Sequence, residues 1–455
     1  MAALLCWAQS VWAEEYKTAG DGMEYSFSML AQLAGTGVEQ QGDDYVVSQN
    51  LTIAEGDRFR LDDGVTIRFA QNVRLTIEGE ADFQQTVGTT FTRATDVDVI
   101  GASIRIQTTD DINIKKCMFY YVGLELMGDG GVNVQDCNFF YHDGSQAAAL
   151  YFISTGRQSI VEDCRFEACQ KAAIGSPVNA MRPLVVHNCT LIKNSAANGN
   201  VPQINVSAAQ GMQITDCTII GNPENNMVGG IGISNFMMYD ADLLITGCTI
   251  EDNRYGIGTV GPIAHVVISH NQLRNNKYET NPLNGGSGIS LYDSYQQTKA
   301  VITGNHIEGS LWGITIIGCQ DVNIGRTDVP EMDERYNVGG NVFKDNGNDG
   351  VLYDLYNNSP NTVYAQGNIW NVSQQTQEQI ETVIFHKVDD ANLGEVIFWP
   401  AASPTGIDRQ AGAQDQRPFS RYNLHGVRIG NASTPTSQLS YSKGIYIING
   451  KKTVL

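Results

Sequence analysis

Three Tyr-Asp pairs in the second half of the chain are the residues whose types and spacing suggest chemistry. Flat aromatic rings stack on sugar rings, and carboxylates accept hydrogen bonds from sugar hydroxyl groups. If the loops that contain the pairs emerge on one side of the fold, they form one glycan-binding site. The residues of this predicted site are Tyr239, Asp240, Tyr292, Asp293, Tyr295, Tyr353, Asp354 and Tyr356.

Asp293 and Asp354 are the first carboxylates to test for catalysis, because glycoside hydrolysis uses a pair of carboxyl groups. The sequence does not determine their separation, so no mechanism follows and the question of enzymatic activity stays open. Long loops at 195–203, 222–228 and 275–287 are expected to wall a cleft beside the site. The alternative interpretation is that Tyr and Asp are simply common loop residues.

The elements that must position these residues belong to one long repeat. Its first marker is an aliphatic residue three positions before a central Cys or Asn, and an apolar residue two positions after it. The central residues are Cys117, Cys137, Cys164, Cys189, Cys217, Cys248, Asn271, Asn305, Asn341 and Asn368. The second marker is a small residue before an aliphatic one, at Ala173-Ile174, Gly230-Ile231, Gly256-Ile257, Gly288-Ile289, Gly313-Ile314 and Gly350-Val351.

Both markers lie in short β-branched stretches without a helical period, and such strands cannot each bury a face alone. Stacked rungs bury that face and pair their backbones about 4.8 Å apart. The interval between central residues varies from 20 residues (Cys117 to Cys137) to 36 (Asn305 to Asn341), so loops of variable length connect constant rungs. The repeat therefore predicts an all-β fold, a parallel β-helix solenoid over residues 45–370.

In these markers the chain resembles the right-handed parallel β-helix superfamily, which contains pectate lyases and polygalacturonases. The resemblance implies the fold and extends to activity only weakly. Polygalacturonase-like enzymes combine an Asp-Asp with a Gly-His-Gly and an Arg-Ile-Lys; here Asp110-Asp111 stands alone, and Arg105-Ile106 is followed by Gln107. The catalytic motifs of that superfamily are therefore not found.

The six central cysteines predict a buried, reduced ladder. Equivalent positions in successive rungs have parallel Cα–Cβ vectors, which suit packing better than the dihedral angle of a disulfide. Disulfides are the alternative, since exported proteins often form them. The four central asparagines predict a structural ladder of amides. The sequence has no CxxC motif or Cys/His cluster that would indicate a metal site, so we expect no cofactor. Calcium remains an alternative as a counter-ion that would allow an acidic glycan to bind.

Segments on both sides of the repeat predict caps. Ser26 is expected to cap a short amphipathic helix with Phe27, Leu30 and Leu33 on its apolar face, within an N-terminal cap over 14–44. A second helix is expected at 379–386, within a C-terminal cap over 371–404. Residues 405–418 contain Pro and Gly and predict a linker.

The two ends of the chain predict export. Residues 1–13 resemble the end of a truncated signal peptide. Residues 442–452, with the sequence Ser-Lys-Gly-Ile-Tyr-Ile-Ile-Asn-Gly-Lys-Lys, resemble the C-terminal sorting domain of the type IX (Por) secretion route in Bacteroidetes. This resemblance implies a sorting-type domain over 419–455 and a partner in the secretion machinery. The alternative is an ordinary terminal hairpin that turns at Asn449-Gly450.

The composition narrows the classes of partner. With 29 Lys and Arg against 49 Asp and Glu, the formal charge is −20, which argues against a nucleic-acid or anionic-membrane partner. The same charge favours a neutral over a polyanionic glycan. Outside residues 1–13, no apolar run reaches the length of about 18 residues that a transmembrane helix needs.

Together these patterns predict a secreted or cell-surface parallel β-helix protein that binds extracellular polysaccharide. Processing of that polysaccharide is a further hypothesis. Two alternatives remain at this stage. One is a polysaccharide lyase or glycoside hydrolase with an unrecognised active site. The other is a non-catalytic structural or adhesin-like stalk.

Overall fold

The computed structural model describes residues 15–402, except 97–99, 108, 280, 283 and 352, and four strands between 420 and 454. Residues 15–402 form a parallel β-helix in which each rung contributes to three sheets, named A, B and C here in the order in which the chain enters them. Sheet A has 14 strands, all parallel. They are Glu15–Lys17, Asn50–Ile53, Arg74–Ile77, Ser103–Gln107, Gly123–Met127, Ala148–Phe152, Ala172–Gly175, Ile204–Ser207, Ile231–Ser234, Ile257–Val260, Ser287–Tyr292, Trp312–Ile317, Leu355–Asn358 and Ile384–Phe385.

In each rung, the chain passes through sheet B, then through the corner that contains the central Cys or Asn, and then through sheet C. The strands of sheet B alone are Glu24–Tyr25, Arg58–Arg60, Val132–Gln135, Ser159–Glu162, Leu184–His187, Met212–Thr215, Asp242–Thr246, His265–Ser269, Lys299–Thr303, Asp321–Gly325, Val363–Ala365 and Val396–Ile397. Those of sheet C alone are Val38–Gln41, Asp44–Val47, Thr66–Phe69, Asn138–Phe140, Arg165–Glu167, Thr190–Ile192, Thr218–Ile220, Thr249–Glu251, Gln272–Arg274, His306–Glu308 and Val342–Lys344. Two longer strands, Glu80–Arg93 and Ile112–Tyr120, pass through both sheets.

The backbone register confirms the predicted rungs, with one exception. In sheet A, the second marker aligns its aliphatic residues from rung to rung, ending with Ile289 against Ile314 and Ile314 against Leu355. Val351 was expected in that last place, but the strand begins at Leu355. The prediction for Gly350-Val351 is therefore wrong, and Asp354-Leu355 occupies the marker position.

The cysteine ladder lies in the core as predicted. The eight cysteines among the described residues are all free and buried, and they include the six central ones. Each central thiol lies close to backbone carbonyls: the Sγ of Cys137 is 3.3 Å from the Gln135 oxygen and 3.6 Å from that of Ile114, one rung below. Next to this ladder, Phe119, Phe139 and Phe166 stack at centroid distances of 4.5 and 4.7 Å.

The asparagine ladder continues the same corner as a chain of hydrogen bonds. The backbone N–H and side-chain amide of Asn305 both donate to Oδ1 of Asn341, at 3.0 and 2.9 Å. Asn341 repeats these contacts with Asn368, at 2.9 Å each. Each buried amide is therefore satisfied by the next rung, which is what burial of a polar group requires. The prediction of a structural ladder is confirmed.

A second buried polar ladder, absent from the sequence predictions, follows the corner between sheets C and A. It contains Asn194, Gln203, Asn253, Asn276 and Asn346. Its last amide, Asn346, donates to Oδ1 of Asp354 at 3.2 Å, and the Asn371 N–H donates to the other carboxylate oxygen at 2.7 Å. Burial raises the pKa of Asp354 to about 7.

Both predicted capping helices exist, although both differ in extent. The first ends before Leu33, which was expected on its apolar face and instead packs against the core from the turn that follows the helix. Helix Phe27–Leu30 begins after Ser26, whose hydroxyl accepts the Met29 N–H, and it buries Phe27 and Leu30. The second helix is Gln377–Glu381, capped by Thr376. It ends before the expected 386, because Ile384–Phe385 instead pairs with Leu355–Asn358 as the last strand of sheet A.

The C-terminal strands form a separate antiparallel sheet of Ser420–Tyr422, Arg428–Asn431, Ile445–Ile448 and Lys451–Val454. Ile448 pairs with Lys451, which agrees with the predicted hairpin, while the turn Asn449-Gly450 lies outside the described residues. The predicted signal segment 1–13 and the linker 405–418 also lie outside them.

Counting thiols tests the ladder. We expect the chain from residue 15 onward, denatured without reductant, to react with eight equivalents of a thiol-reactive dye. The native protein should react with almost none, because the thiols are inaccessible and burial raises the pKa of Cys169 and Cys319 to about 12. A count well below eight in the denatured protein would show disulfides instead.

The pH dependence of stability tests the burial of Asp354. Its pKa of about 7 in the folded chain exceeds the unfolded value near 3.9, so between these pH values the native state binds more protons. Stability contributed by the protonated group is therefore lost as the pH rises through this window, by about 3–4 kcal/mol. We expect Asp354→Asn to remove this loss, so that its urea midpoint relative to wild type rises between pH 4.5 and 7.5. A constant difference would contradict the assignment.

Candidate functional site

The outer face of sheet A has a row of aligned, outward-facing positions, one from each of its 14 strands. Buried aliphatic residues such as Leu75, Ile104 and Leu124 point inward, and side chains alternate along a strand, so the next residue of each strand faces outward. The register gives the row Lys17, Thr52, Thr76, Arg105, Glu125, Tyr151, Gly175, Asn205, Gly232, Gly258, Ser290, Thr315, Tyr356 and Phe385.

In the N-terminal part of this face, the carboxylate of Glu125 contacts two guanidinium groups, those of Arg105 from the same row and of Arg74 from beside it. Glu125, with a side chain only 3% exposed, accepts a 2.6 Å hydrogen bond from Nε of Arg105. Nη2 of Arg74 lies 3.5 Å from its other oxygen. Two positive charges against one buried negative charge leave this cluster, named the arginine end here, with a local excess of positive charge. Beside it lies a polar cavity of about 300 Å³, lined by Glu15, Asn50, Thr52, Asn72, Arg74, Thr76, Gly101 and Ser103.

The middle of the face is shaped by glycines beneath Tyr255. A Cβ atom on Gly258 would lie 2.9 Å from Cε2 of Tyr255, and one on Gly232 would lie 3.3 Å from its hydroxyl. The small residues therefore allow the ring to lie close against the sheet. Burial raises the pKa of Tyr255 to about 12, so the phenol stays protonated at neutral pH.

The predicted long loops are joined into one wall along this face. Arg254 donates from Nη1 to Asn200 and from Nη2 to the carbonyl oxygen of Asn284, both at 2.6 Å. Its Nε lies 2.9 Å from Glu279, which makes an ion pair rather than a well-directed hydrogen bond; both side chains are below 10% exposure. The middle loop, 222–228, joins through the Met227 N–H, which donates to the Asn198 side chain at 3.0 Å.

The C-terminal part of the face is an aromatic cluster, named the aromatic end here. Trp312 stacks on Tyr353 and Tyr356 at centroid distances of 5.0 and 5.6 Å, and Phe385 meets both tyrosines edge to face. Nε1 of Trp312 donates to the Pro282 carbonyl oxygen at 2.8 Å, which fixes the indole against the loop wall. All four rings are partly exposed.

The two carboxylates proposed first for catalysis are both buried, which corrects the expectation that they face a ligand. Asp293 accepts the backbone N–H groups of Tyr295, Gln297 and Thr298 at 2.9, 2.8 and 2.7 Å. Asp354 ends the internal ladder described above. Both have 0% exposure, so they hold backbone and side-chain donors in place instead of pairing across a ligand.

The structure brings two of the three Tyr-Asp pairs, Tyr239-Asp240 and Tyr292-Asp293, to the edge where the sheet A strands end, and it places the third, Tyr353-Asp354, at the opposite edge; the three pairs therefore do not form one shared site. Asp293 follows the last residue of its sheet A strand, whereas Asp354 precedes the first residue of its strand. Tyr239 and Asp240 lie in the loop between the sheet A strand Ile231–Ser234 and the sheet B strand Asp242–Thr246. They line a groove at the edge between sheets A and B. The structure therefore separates Tyr353 and Tyr356, at the aromatic end, from the other predicted tyrosines.

Tyr292 and Tyr295 are exposed, at 42% and 59%, near the edge where the sheet A strands end.

Sequence reasoning missed Arg74, Arg105, Glu125 and Trp312. Part of the signal was present, because Ser103–Gln107 and Gly123–Met127 align as strands in which Arg105 faces Glu125. The pairing of Arg105 with Glu125 depends on the register of the two strands, and this register cannot be read from the sequence because the loops between rungs differ in length.

Among the described residues, no cluster of three or more His, Cys, Asp or Glu side chains could hold a metal ion. None of the helices in the same part of the chain is long and apolar enough to cross a membrane.

Comparisons with known proteins bear on this fold. No curated protein matches the chain significantly. The crystal structure of the periplasmic alginate epimerase AlgG is 12% identical, with a TM-score of 0.40, over 84% of this chain and 83% of that chain. A mannuronic acid specific polysaccharide family 6 lyase from human gut microbiota is 12% identical, with a TM-score of 0.34, over 85% and 93%. Nothing about the activity of this chain follows from these values.

The family described as "Right handed beta helix region" matches residues 36–201 and 188–329, which together cover more than half of the chain. These ranges include the cysteine ladder and most rungs of sheet A. The chain belongs to the right-handed β-helix family.

Proposed function

We propose that the protein binds an extended polysaccharide along the outer face of sheet A. The observation that supports this most is the row of aligned positions that connects the arginine end to the aromatic end, with Tyr255 packed over its glycines in the middle. From Glu125 to Tyr356 the row crosses eight strand spacings, or about 38 Å at roughly 4.8 Å each. A site of this length and regularity suits a linear polymer better than a compact metabolite, which a pocket encloses.

The side chains along the row match the chemistry of sugars. Asn205 and Ser290 are partly exposed and offer donors and acceptors for hydroxyl groups, and the aromatic end offers apolar rings. The wall fastened by Arg254 borders the row on one side. This arrangement favours a mainly neutral polymer in a protein of charge −20, while the arginine end can accept an acidic sugar.

Removing the central ring of the aromatic end tests the proposal. We expect Trp312→Ala to weaken binding of a long polysaccharide about tenfold, equivalent to roughly 1.4 kcal/mol, because the stacking surface is lost. Calorimetry against a panel of neutral and uronate polysaccharides measures the affinity. Trp399→Ala is the matched control, since Trp399 is 46% exposed but follows the last strands of the solenoid. Equal affinities for wild type and Trp312→Ala would remove the aromatic end from the site.

A second candidate function is catalysis on the bound polymer, as a lyase or a glycoside hydrolase. The observation that favours it is the arrangement of Glu125, Arg105 and Arg74, a carboxylate and two guanidinium groups on the polymer-binding face. Tyr151 follows Glu125 on the next rung, and burial, with a smaller effect of the Glu125 charge, raises the pKa of its phenol. Such perturbed groups concentrate at functional sites.

Glu125→Gln tests this second function. We expect the variant to fold, keep polymer binding within a few-fold, and lose any product formation by at least a hundredfold, since proton transfer by a positioned carboxyl contributes about that much. Chromatography of the products measures turnover. Glu251→Gln is the control, because Glu251 also pairs with an arginine, at 2.8 Å, but on sheet C. A wild-type chain that binds and releases no product would restrict the protein to binding.

Export is a further part of the proposed function, and it is supported by the resemblance of residues 442–452 to a type IX sorting domain. The chain would then act on polysaccharide outside the cell. Deletion of 419–455 in a bacterium that has this route should retain the protein inside the cells. Secretion that is unchanged by the deletion would assign the terminal sheet another role.

A further inference from the structure

The groove at the edge between sheets A and B is built by loops from four successive rungs. It has a volume of about 420 Å³, and the side chains that matter for its chemistry are Tyr239, Asp240, His265, Gln297, Lys299 and Gln320. These residues lie beyond the ends of the sheet A strands, so the groove is separate from the outward row of that sheet.

Buried polar groups hold the loops of this edge groove in place. The Asn235 side chain donates to the Tyr239 carbonyl oxygen at 2.8 Å and accepts the Tyr239 N–H at 2.9 Å. Asp293 fixes the backbone of Gln297 and Thr298, and the Thr298 hydroxyl accepts the Ile263 N–H at 3.0 Å. The carboxylate first considered for catalysis is therefore a positioning residue for this groove. Preorganised loops lower the entropy cost of ligand binding.

Three long polar side chains of the edge groove have no hydrogen-bond partner in the described part of the chain. Within the described residues, the side chains of Gln297, Lys299 and Gln320 make no hydrogen bond or ion pair. Gln297 and Lys299 are exposed, as is Asp240, whose carboxylate accepts one hydrogen bond of 2.6 Å from Gln210. The groove thus presents amide and ammonium donors beside amide and carboxylate acceptors.

The charges of the edge groove select among classes of ligand. Lys299 opposes a bound cation and Asp240 opposes a bound anion, so the formal charges of these two side chains cancel. A ligand that both donates and accepts hydrogen bonds without a charge satisfies all of these groups. Hydroxyl-rich sugar rings have this property, and Tyr239 adds an aromatic surface.

We propose that the edge groove is a second carbohydrate-binding site, specific for a short neutral oligosaccharide, and that it acts independently of the outer face of sheet A. The exposed Tyr292 ends its sheet A strand and the exposed Tyr295 lies in the loop that follows, on the same rung as Gln297 and Lys299. Two sites on one rigid solenoid would increase the avidity for branched or bundled polysaccharide.

Titration of the full chain with neutral tetrasaccharides tests the proposal. Cello-, manno- and xylotetraose serve as probes, with tetragalacturonate as the charged comparison, and ligand-observed NMR detects weak binding. We expect at least one neutral probe to bind, and Lys299→Ala and a Gln297→Ala/Gln320→Ala double variant each to weaken it fivefold or more. Lys387→Ala, at an exposed lysine in the C-terminal cap, should leave the affinity unchanged.

Variants of the two surfaces separate this proposal from the binding proposed for sheet A. Trp312→Ala should not affect the tetrasaccharide that Lys299→Ala weakens. Loss of binding only in Trp312→Ala would overturn the edge groove and support the outer face alone. Preference for tetragalacturonate, or binding of none of the probes, would also overturn the edge groove, while binding of long polymers could still be intact.

Discussion

In-register pairing of parallel strands, repeated at about 4.8 Å from rung to rung, is the interaction on which the rest of this structure depends. It places equivalent residues directly above one another, so each position of the repeat becomes a column. A column inside the solenoid must consist of groups that tolerate contact with their own kind. Stacked phenyl rings, thiols above carbonyl oxygens and amides that donate to the next amide all meet this condition. The change from Cys248 to Asn271 preserves the column, because the Asn271 Oδ1 accepts the Cys248 N–H at 2.9 Å.

The same constraint explains which parts could be predicted from the sequence. The central Cys and Asn residues and the small-aliphatic marker are interior columns, so their chemistry repeats in the sequence. The fold and both ladders of the central corner could be predicted from this repetition. Val351 failed as a marker because Asp354 replaces the small residue in this rung, so the sequence pattern selects Gly350-Val351 although Leu355 is the residue that pairs with Ile314. The second polar ladder was missed because its members lie at irregular intervals within variable loops.

The site was harder to predict because outward columns have no shared composition. Arg105 and Glu125 interact through adjacent rungs, 20 residues apart in sequence, and nothing in either strand alone indicates the pair. The Tyr-Asp pairs show the opposite error: similar dipeptides fell at the end of a strand, before a strand and in a loop. One residue of displacement along a strand turns a side chain from solvent to core. Asp293 and Asp354 are therefore interior groups, even though their tyrosine neighbours reach the surface.

Charge acts in this protein at the scale of single rungs rather than of the whole chain. The net charge of −20 is distributed around a long solenoid, and at physiological ionic strength exposed charges more than about 8 Å apart are largely screened. Two strand spacings already exceed that length. The arginine end and the edge groove, where the formal charges of Lys299 and Asp240 cancel, can therefore differ in ligand preference, although they belong to one acidic molecule. A solenoid separates its surfaces in this way because every added rung lengthens the molecule and its core without widening them. The ligand of each surface is then determined by the few rungs that form it.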